Sequence, residues 1–94
     1  MKIDKKDIQR AEIFKVLSDP NRLQMIRILY QAHRELTCGE VGEKLDLSKS
    51  TVSYHFKKLR KVGLTNTRKE AQIKYLSINM DTFTEFLPFF LDTL

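Results

Sequence analysis

The stretch Thr37–Val62, TCGEVGEKLDLSKSTVSYHFKKLRKV, decides the fold of this chain. Its apolar residues recur at helical spacing in two groups, and each group lines one face of a helix. Ser48 stands just before the second group, where its hydroxyl can accept an unpaired backbone N–H and cap a helix. Gly42 stands where a side chain would obstruct close packing of the two helices. The pattern therefore predicts a helix-turn-helix in which Leu47 fills the turn.

The polar face of the second predicted helix begins with small hydroxyl-bearing residues and continues with cations. Such a face suits a helix whose N-terminal end enters the major groove of DNA. The alternative is an ordinary amphipathic helix with solvated lysines, but the succession of cap, small polar residues and cations favours DNA. The residues on this face are Lys49, Ser50, Ser53, Tyr54, Lys57, Lys58 and Lys61.

The net charge of +5 is unevenly distributed along the chain. Residues 1–48 carry nine Lys and Arg against eight Asp and Glu, whereas residues 49–74 carry eight against one. The second segment therefore has a net charge of +7 within 26 residues. A positive block that coincides with a recognition helix indicates contact with the phosphate backbone of DNA.

Length and composition indicate one globular domain spanning residues 1–94. The chain is 41% apolar and 31% charged, as in folded proteins rather than disordered ones. No apolar run approaches the roughly 20 residues of a membrane span, and the N-terminal sequence MKIDKKDIQR does not have the pattern of a signal peptide. Because a single cysteine cannot form an internal disulfide, a cytoplasmic location is expected.

Two helices are predicted before this segment. The first spans residues 7–17, and its apolar stripe consists of Ile8, Ala11, Phe14 and Leu17, with Ile13 flanking it. The second runs from Pro20 to about Ala32, because Asp19 can cap a helix and proline fits the first helical turn.

A β-hairpin is predicted after the recognition helix, which Gly63 should end in a left-handed conformation. The predicted strands are residues 64–68 and 72–78, with residues 69–71 at the tip. A basic hairpin in this position is the wing of a winged helix and reaches DNA backbone or minor groove. The alternative is an edge strand whose charges only keep it soluble. The wing residues predicted to contact DNA are Arg68, Lys69, Gln72 and Lys74.

A last helix is predicted to begin at Asp81, which would cap it, and Pro88 should kink it or split it in two. Four of the six Phe residues lie between positions 83 and 90. A domain of this size cannot bury them all, so a dimer interface formed by helices at both ends of the chain is predicted. The predicted interface residues are Ile8, Ile13, Phe14, Phe83, Leu87, Phe90, Leu91 and Leu94.

Four motifs together resemble the ArsR/SmtB winged helix-turn-helix repressors: KVLSDPNRL at 15–23, EL at 35–36, LSKSTVSYHFKKL at 47–59 and GL at 63–64. The resemblance implies a mainly α fold with a small β-hairpin wing. It also implies a homodimeric transcriptional repressor that binds an imperfect inverted repeat in double-stranded DNA. In the family's pattern, contacts with bases and phosphates fall on Ser50, Thr51, Ser53, Tyr54 and Lys57. His55 matches a histidine that packs towards the interior.

The resemblance does not extend to a metal site. Metal-sensing members of the family often carry Cys-x-Cys directly after Glu-Leu, and Thr37 and Gly39 occupy those two positions here. With one Cys and two His in the chain, no metal or other cofactor is expected. Cys38 itself is either a redox-active thiol with a lowered pKa or a small packing residue, and the second role is favoured.

Two other functions remain as alternatives to DNA-binding regulation. A winged helix used mainly for protein–protein contact is the first, and the +7 segment argues against it. An enzyme is the second, and it is remote because the chain has neither a glycine-rich phosphate loop nor a Ser/His/Asp set at recognisable spacing.

Overall fold

The computed structural model describes residues 2–94 as five α-helices, three β-strands and a short 3-10 helix. The helices are α1 (Lys5–Leu17), α2 (Pro20–Ala32), α3 (Cys38–Leu45), α4 (Lys49–Lys61) and α5 (Met80–Phe86). The strands are β1 (Leu36–Thr37), β2 (Thr65–Glu70) and β3 (Ile73–Ile78), and the 3-10 helix is Leu91–Thr93. Within the described residues, none of the helices is long and apolar enough to cross a membrane.

The first two helices begin at aspartate caps. The backbone N–H of Lys6 donates to Asp4 at 2.8 Å. The backbone N–H of Asn21 donates to Asp19 at 2.8 Å, and proline occupies the first position of α2. The predicted Asp-Pro start of α2 is thus confirmed.

The buried face of α1 differs from the prediction. Ile13 and Leu17, four residues apart, are buried against the rest of the domain, while Ile8 and Phe14 are 52% and 54% exposed. Ile8 and Phe14 are six positions apart, which at 100° per residue separates them by about 120° around the helix. They therefore cannot share one face, and the predicted stripe through both of them is wrong.

Helices α3 and α4 form the predicted helix-turn-helix. Thr37 caps α3 in a reciprocal capping box with Glu40, and Ser48 caps α4 by accepting the backbone N–H of Thr51. A Cβ added to Gly42 would lie 2.5 Å from the carbonyl oxygen of Leu47. Real Cβ atoms do not approach the backbone this closely. The turn at Leu47 can therefore pack against α3 only because residue 42 has no side chain.

The three strands form one antiparallel sheet in the order β1-β3-β2. The hairpin is longer than predicted, because Glu70 pairs with Ile73 and only Ala71 and Gln72 form the turn. Ala71 has a φ of 54°, the left-handed conformation that a two-residue hairpin requires and that Gly or Asn usually supplies. Since residues 71 and 72 are Ala and Gln, no Gly or Asn marks the position of the tip in the sequence. The short strand β1 was not predicted.

The C-terminal segment is split, as Pro88 predicts, but it begins one residue earlier than expected. Asn79 rather than Asp81 caps α5, accepting the backbone N–H of Thr82 at 3.4 Å. The α-helix ends at Phe86, and the chain turns back through Pro88 into the 3-10 helix.

One hydrophobic core joins all of these elements. It takes residues from α1, α2, β1, α3, α4, β3 and the C-terminal segment, and it includes three residues predicted for the dimer interface: Ile13 (1% exposed), Phe83 (2%) and Leu91 (5%). Side chains buried so completely within one protomer have almost no surface left for a partner to cover. For these three residues the predicted interface role is corrected to a core role.

Candidate nucleic-acid interface

The outermost face of α4 is a ridge formed by Ser50, Tyr54, Lys57 and Lys61. These residues follow one another at spacings of four, three and four, and all are exposed. The opposite face of α4 is buried through Val52, His55, Phe56 and Leu59. The core thus fixes the rotation of the helix, and the hydroxyl-bearing end of the ridge comes first along the chain, with the cations behind it.

The wing has two faces with different chemistry. Side chains alternate along a strand, so the inner face of the hairpin carries Thr65, Thr67 and Lys69 on β2, together with Lys74 and Leu76 on β3. Thr65 and Leu76 are buried, which shows that this face packs on the domain. The outer face carries Arg68 and Tyr75.

Lys69 and Lys74 stand directly opposite each other across the hairpin. Like charges in this arrangement are destabilising in the absence of an anion. Neither lysine has an ion pair within residues 2–94. They project from the wing on the face that also turns towards α4, and they are well placed for a phosphate.

A cleft of about 540 Å³ separates the wing from the start of α4. Predicted DNA-contacting residues from both sides line it together: Lys49, Ser50, Ser53, Gln72 and Lys74. The tertiary structure thus brings the helix and the hairpin into one surface. We call the ridge of α4 together with Lys49, Ser53, Lys69, Gln72 and Lys74 the DNA-facing surface.

Arg60 fixes the wing to the recognition helix. Its Nη1 donates to the hydroxyl of Thr67 on the inner face of β2 at 3.1 Å. In the sequence, Arg60 is one of eight basic residues between positions 49 and 74. The spacing of residues along the chain does not indicate that it joins α4 to β2.

Arg68 lies on the outer face and is already fully engaged. Its guanidinium donates to both carboxylate oxygens of Glu35 at 3.0–3.3 Å and to Glu70 at 2.7 Å, and it stacks 4.5 Å from the centre of the Tyr75 ring. The two carboxylates raise the pKa of Arg68 above its usual range. A cation neutralised twice does not provide a free charge for a phosphate, so the predicted DNA contact of Arg68 is replaced by a structural contact.

His55 packs inward, as expected. It is 7% exposed, and its Nδ1 accepts a hydrogen bond from Nε of Arg22 at 3.1 Å. Nη1 of Arg22 also donates to the carbonyl of Val16 at 3.1 Å. Arg22 of the LSDPNR motif therefore joins the end of α1 to α4 and holds the recognition helix from behind.

Comparison with known proteins agrees with this architecture. Residues 17–68, more than half of the chain, match the family described as "Helix-turn-helix domain". The chain is 59% identical over 85 residues to the HTH-type transcriptional regulator YceK of Bacillus subtilis, covering 90% of this chain and 85% of YceK. The chain belongs to this family. It is a winged helix-turn-helix transcriptional regulator of the ArsR/SmtB type.

Two solved structures show the same fold. HlyU from Vibrio cholerae matches with a TM-score of 0.72 and 36% identity over 81% of this chain and 80% of that chain. A homodimeric winged helix-turn-helix DNA-binding domain from Mycobacterium bovis, titled a possible ArsR-family regulator, matches with a TM-score of 0.75 and 26% identity. This match covers 90% of the present chain and 81% of the other.

The flank of α4 away from the wing faces a second cleft in this regulator. Tyr54 and Lys58 line it together with α1 residues such as Ile8 and Lys15, and its volume is about 880 Å³. Nζ of Lys58 lies 5.6 Å from the centre of the Tyr54 ring. Lys58 is half-buried at this flank, so it lies at the edge of the DNA-facing surface rather than on its ridge.

Thr51 also lies off the ridge. Its side chain is half-buried, and its hydroxyl shares a hydrogen bond of 2.9 Å with the capping hydroxyl of Ser48. The structure thus places Thr51 at the N-terminal end of α4 as part of the cap.

Large apolar side chains remain exposed at both ends of the chain. Ile3 is 73% exposed, Phe14 54% and Phe89 83%. The two ends are held together, since Lys6 pairs with Glu85 at 3.4 Å and the guanidinium of Arg10 lies 5.8 Å from the centre of the Phe86 ring. We call Ile3, Phe14 and Phe89 the terminal surface. Of the other predicted interface residues, Leu87, Phe90 and Leu94 are half-buried, and Ile8 faces the cleft beside α4.

Cys38 has the properties of a packing residue. It is half-buried at the start of α3, and burial raises the pKa of its thiol, although Lys74 and Lys49 partly oppose the shift. A raised pKa leaves less of the reactive thiolate at neutral pH, which is the opposite of the lowered pKa that a redox switch requires. Among residues 2–94, no three His, Cys, Asp or Glu side chains lie close enough together to hold a metal ion.

Proposed function

We propose that this regulator binds an inverted-repeat operator in double-stranded DNA as a homodimer and represses transcription by occupying it. The proposal rests on the DNA-facing surface, where exposed lysines that form no ion pair among the described residues surround the small polar residues at the start of α4. In each protomer Ser50, Ser53 and Tyr54 would contact base edges. Lys49, Lys57, Lys69 and Lys74 would contact phosphates, which position the helix without reading the sequence.

Homodimerisation is supported by the terminal surface. Phe89 is the most exposed large apolar side chain in the described chain, and its φ of 66° is a strained conformation for a residue with a Cβ. A strained residue that exposes an aromatic ring to solvent is a reason to propose that a partner covers that ring. A second copy that brings its own terminal surface would do so.

The two-fold symmetry of the dimer would match the symmetry of an inverted-repeat operator. Dimers of this type present two recognition helices about 34–36 Å apart, one turn of DNA, so each helix meets one half-site. A monomer would reach a single half-site and would retain mainly the non-specific affinity that its lysines provide. Repression follows if the bound dimer excludes the transcription machinery from the promoter.

The test begins by selecting bound sequences from a random DNA pool and titrating the selected duplex at several salt concentrations. We expect an inverted repeat and a steep loss of affinity with salt, because each phosphate contact contributes about 0.9 to the log–log slope. Lys57→Ala should lower that slope by about 1.8, because it removes one phosphate contact from each protomer of the dimer. Lys5→Ala, which removes an exposed lysine on α1, is the matched control and should leave the slope unchanged.

A protein that selects no sequence and binds DNA without salt dependence would contradict the proposal. The winged helix would then serve protein–protein contact instead.

A further inference from the structure

The outer face of the wing carries a contact that spans the whole sheet. Glu35 directly precedes β1, Tyr75 lies on the central strand β3, and Arg68 lies on β2 at the far edge. Arg68 and Tyr75 are paired residues, and Tyr75 also pairs with Thr37 on β1. Because side chains alternate along a strand, Glu35, Tyr75 and Arg68 all lie on the same face.

The geometry of this contact is specific. Nε and Nη2 of Arg68 form the two-point pair with the Glu35 carboxylate that only a guanidinium can make, and the same planar group stacks on the Tyr75 ring. A carboxylate on one edge strand therefore holds an arginine on the other edge, with the central aromatic ring between them. We call Glu35, Tyr75 and Arg68 the sheet clamp.

The sheet clamp acts on the residues that the DNA would meet. Arg68 is adjacent to Lys69, and Tyr75 is adjacent to Lys74, so the two clamp residues on the hairpin each have a lysine of the DNA-facing surface as chain neighbour on the opposite face. Lys69 and Lys74 repel each other across the hairpin. The backbone pairing of β2 with β3 opposes that repulsion, and the sheet clamp adds a side-chain contact that opposes it further when no DNA is bound.

We infer that Arg68 is a positioning residue for DNA binding, which orients the wing lysines Lys69 and Lys74 by pairing with Glu35 and makes no phosphate contact of its own. The effect of Arg68 on DNA affinity rests on the proposed DNA-binding function, whereas the contacts by which it holds the wing do not. The wing is then fixed on both faces, by Arg60 and Thr67 inside and by the sheet clamp outside.

A pair of charge-removing variants gives the sharpest test. Glu35→Gln and Glu70→Gln each remove one negative charge from the same guanidinium, but only the first breaks the two-point pair across the sheet. Removing an acid near a DNA-binding surface should by itself strengthen binding to the selected operator. We expect Glu70→Gln to do so or to have no effect, and Glu35→Gln to weaken binding about twofold to fivefold, the scale of an exposed ion pair.

Arg68→Lys separates positioning from charge, since it keeps the cation and loses both the two-point pair and the ring stacking. We expect it to weaken binding as Glu35→Gln does, with an unchanged salt slope. Lys69→Met, in contrast, should lower the slope by about 1.8, because each protomer of the dimer loses one phosphate contact. The inference is overturned if Arg68→Lys binds normally while Arg68→Met loses a phosphate contact in the slope, or if Glu35→Gln strengthens binding as Glu70→Gln does.

Amide ¹⁵N relaxation of the DNA-free protein distinguishes failure of this inference from failure of the proposed function. In the wild type, the wing amides of residues 66–74 should have order parameters near about 0.85, and Glu35→Gln should lower them towards about 0.6. Wing amides that stay equally rigid in Glu35→Gln would overturn the clamp even if the protein binds DNA well. If Glu35→Gln makes the wing more mobile but the wild-type protein binds no DNA, the structural role of the clamp stands and the proposed function is overturned.

Discussion

The DNA-facing surface and the terminal surface are both left incomplete by the folded protomer, but in opposite ways. Within residues 2–94, the first exposes cations such as Lys57, Lys69 and Lys74 that form no ion pair, and the second exposes apolar side chains such as Phe14 and Phe89. DNA phosphates would neutralise the cations of the first surface, and salt would weaken that binding. Apolar contact would cover the side chains of the second surface, and salt does not screen such contact. Exposed charge and exposed apolar area would thus be satisfied by two different partners, DNA and a second protomer.

The two surfaces should also be coupled through symmetry. An operator with two half-sites is bound tightly only if both recognition helices engage at once, so the terminal surface determines how much the DNA-facing surface can achieve. A change in the terminal surface should therefore lower operator affinity by preventing dimerisation, whereas a change in the DNA-facing surface should lower it by removing contacts with DNA.

The largest expected effect comes from breaking the terminal surface while leaving every lysine in place. Phe14→Asp combined with Phe89→Asp should give a folded monomer, because both rings are mostly solvent-exposed in the protomer. Its operator affinity should fall towards the non-specific level, a loss of about a thousandfold or more. Sedimentation and DNA titration of this variant provide the measurement, and Met80→Asp, at an exposed apolar residue outside both surfaces, is the control for charge. A double variant that still sediments as a dimer would separate dimerisation from the terminal surface.

A smaller effect, and one on stability rather than binding, should distinguish the buried from the exposed aromatic residues of the C-terminal segment. Phe83 is 2% exposed and stacks on Phe90 with 6.3 Å between ring centres, so Phe83→Ala should lower the free energy of unfolding by about 3–5 kcal/mol.

Phe89→Ala, at a ring that is 83% exposed, should change the stability of the monomer by less than about 0.5 kcal/mol. Urea unfolding at protein concentrations below the dimer dissociation constant gives both values. Equal losses for the two variants would show that Phe89 is part of the protomer core after all.

The smallest expected effect concerns sequence preference on the ridge of α4. Ser50→Ala or Tyr54→Phe should relax the preference at one base pair per half-site, at a cost of about 1–3 kcal/mol for a good base contact. The salt slope should stay unchanged, because neither residue carries a charge. Repeating the selection from random DNA with each variant tests this, with Lys57→Ala as the contrasting variant that should weaken all sequences alike. An unchanged preference would place base recognition elsewhere on the surface.

The helix-turn-helix was predictable residue by residue because its signals are local. A cap at Ser48, a small residue at Gly42 and apolar side chains three and four positions apart each act within one or two turns of chain. The Asp19 cap with Pro20 and the left-handed Gly63 (φ 82°) are local in the same sense. These residues are the most informative positions for predicting the fold from the sequence alone.

The terminal segments were less predictable because their apolar residues exceed what the core can hold. The sequence contains enough large side chains for both a core and an interface, and four of its six Phe residues lie between positions 83 and 90. Phe83 is buried and Phe89 is exposed on the two sides of the turn at Pro88, and helical periodicity does not continue across that turn.

The sequence by itself determined the winged helix-turn-helix, the identity of the recognition helix and the concentration of positive charge behind it. Only the tertiary structure decided which cations are free. Lys69 and Arg68 are adjacent and chemically alike in the sequence, but strand alternation sends them to opposite faces, where Arg68 meets Glu35 from 33 positions away along the chain. A contact of that separation has no local signature, so the division between cations that hold the wing and cations that remain free for DNA exists only once the sheet has formed.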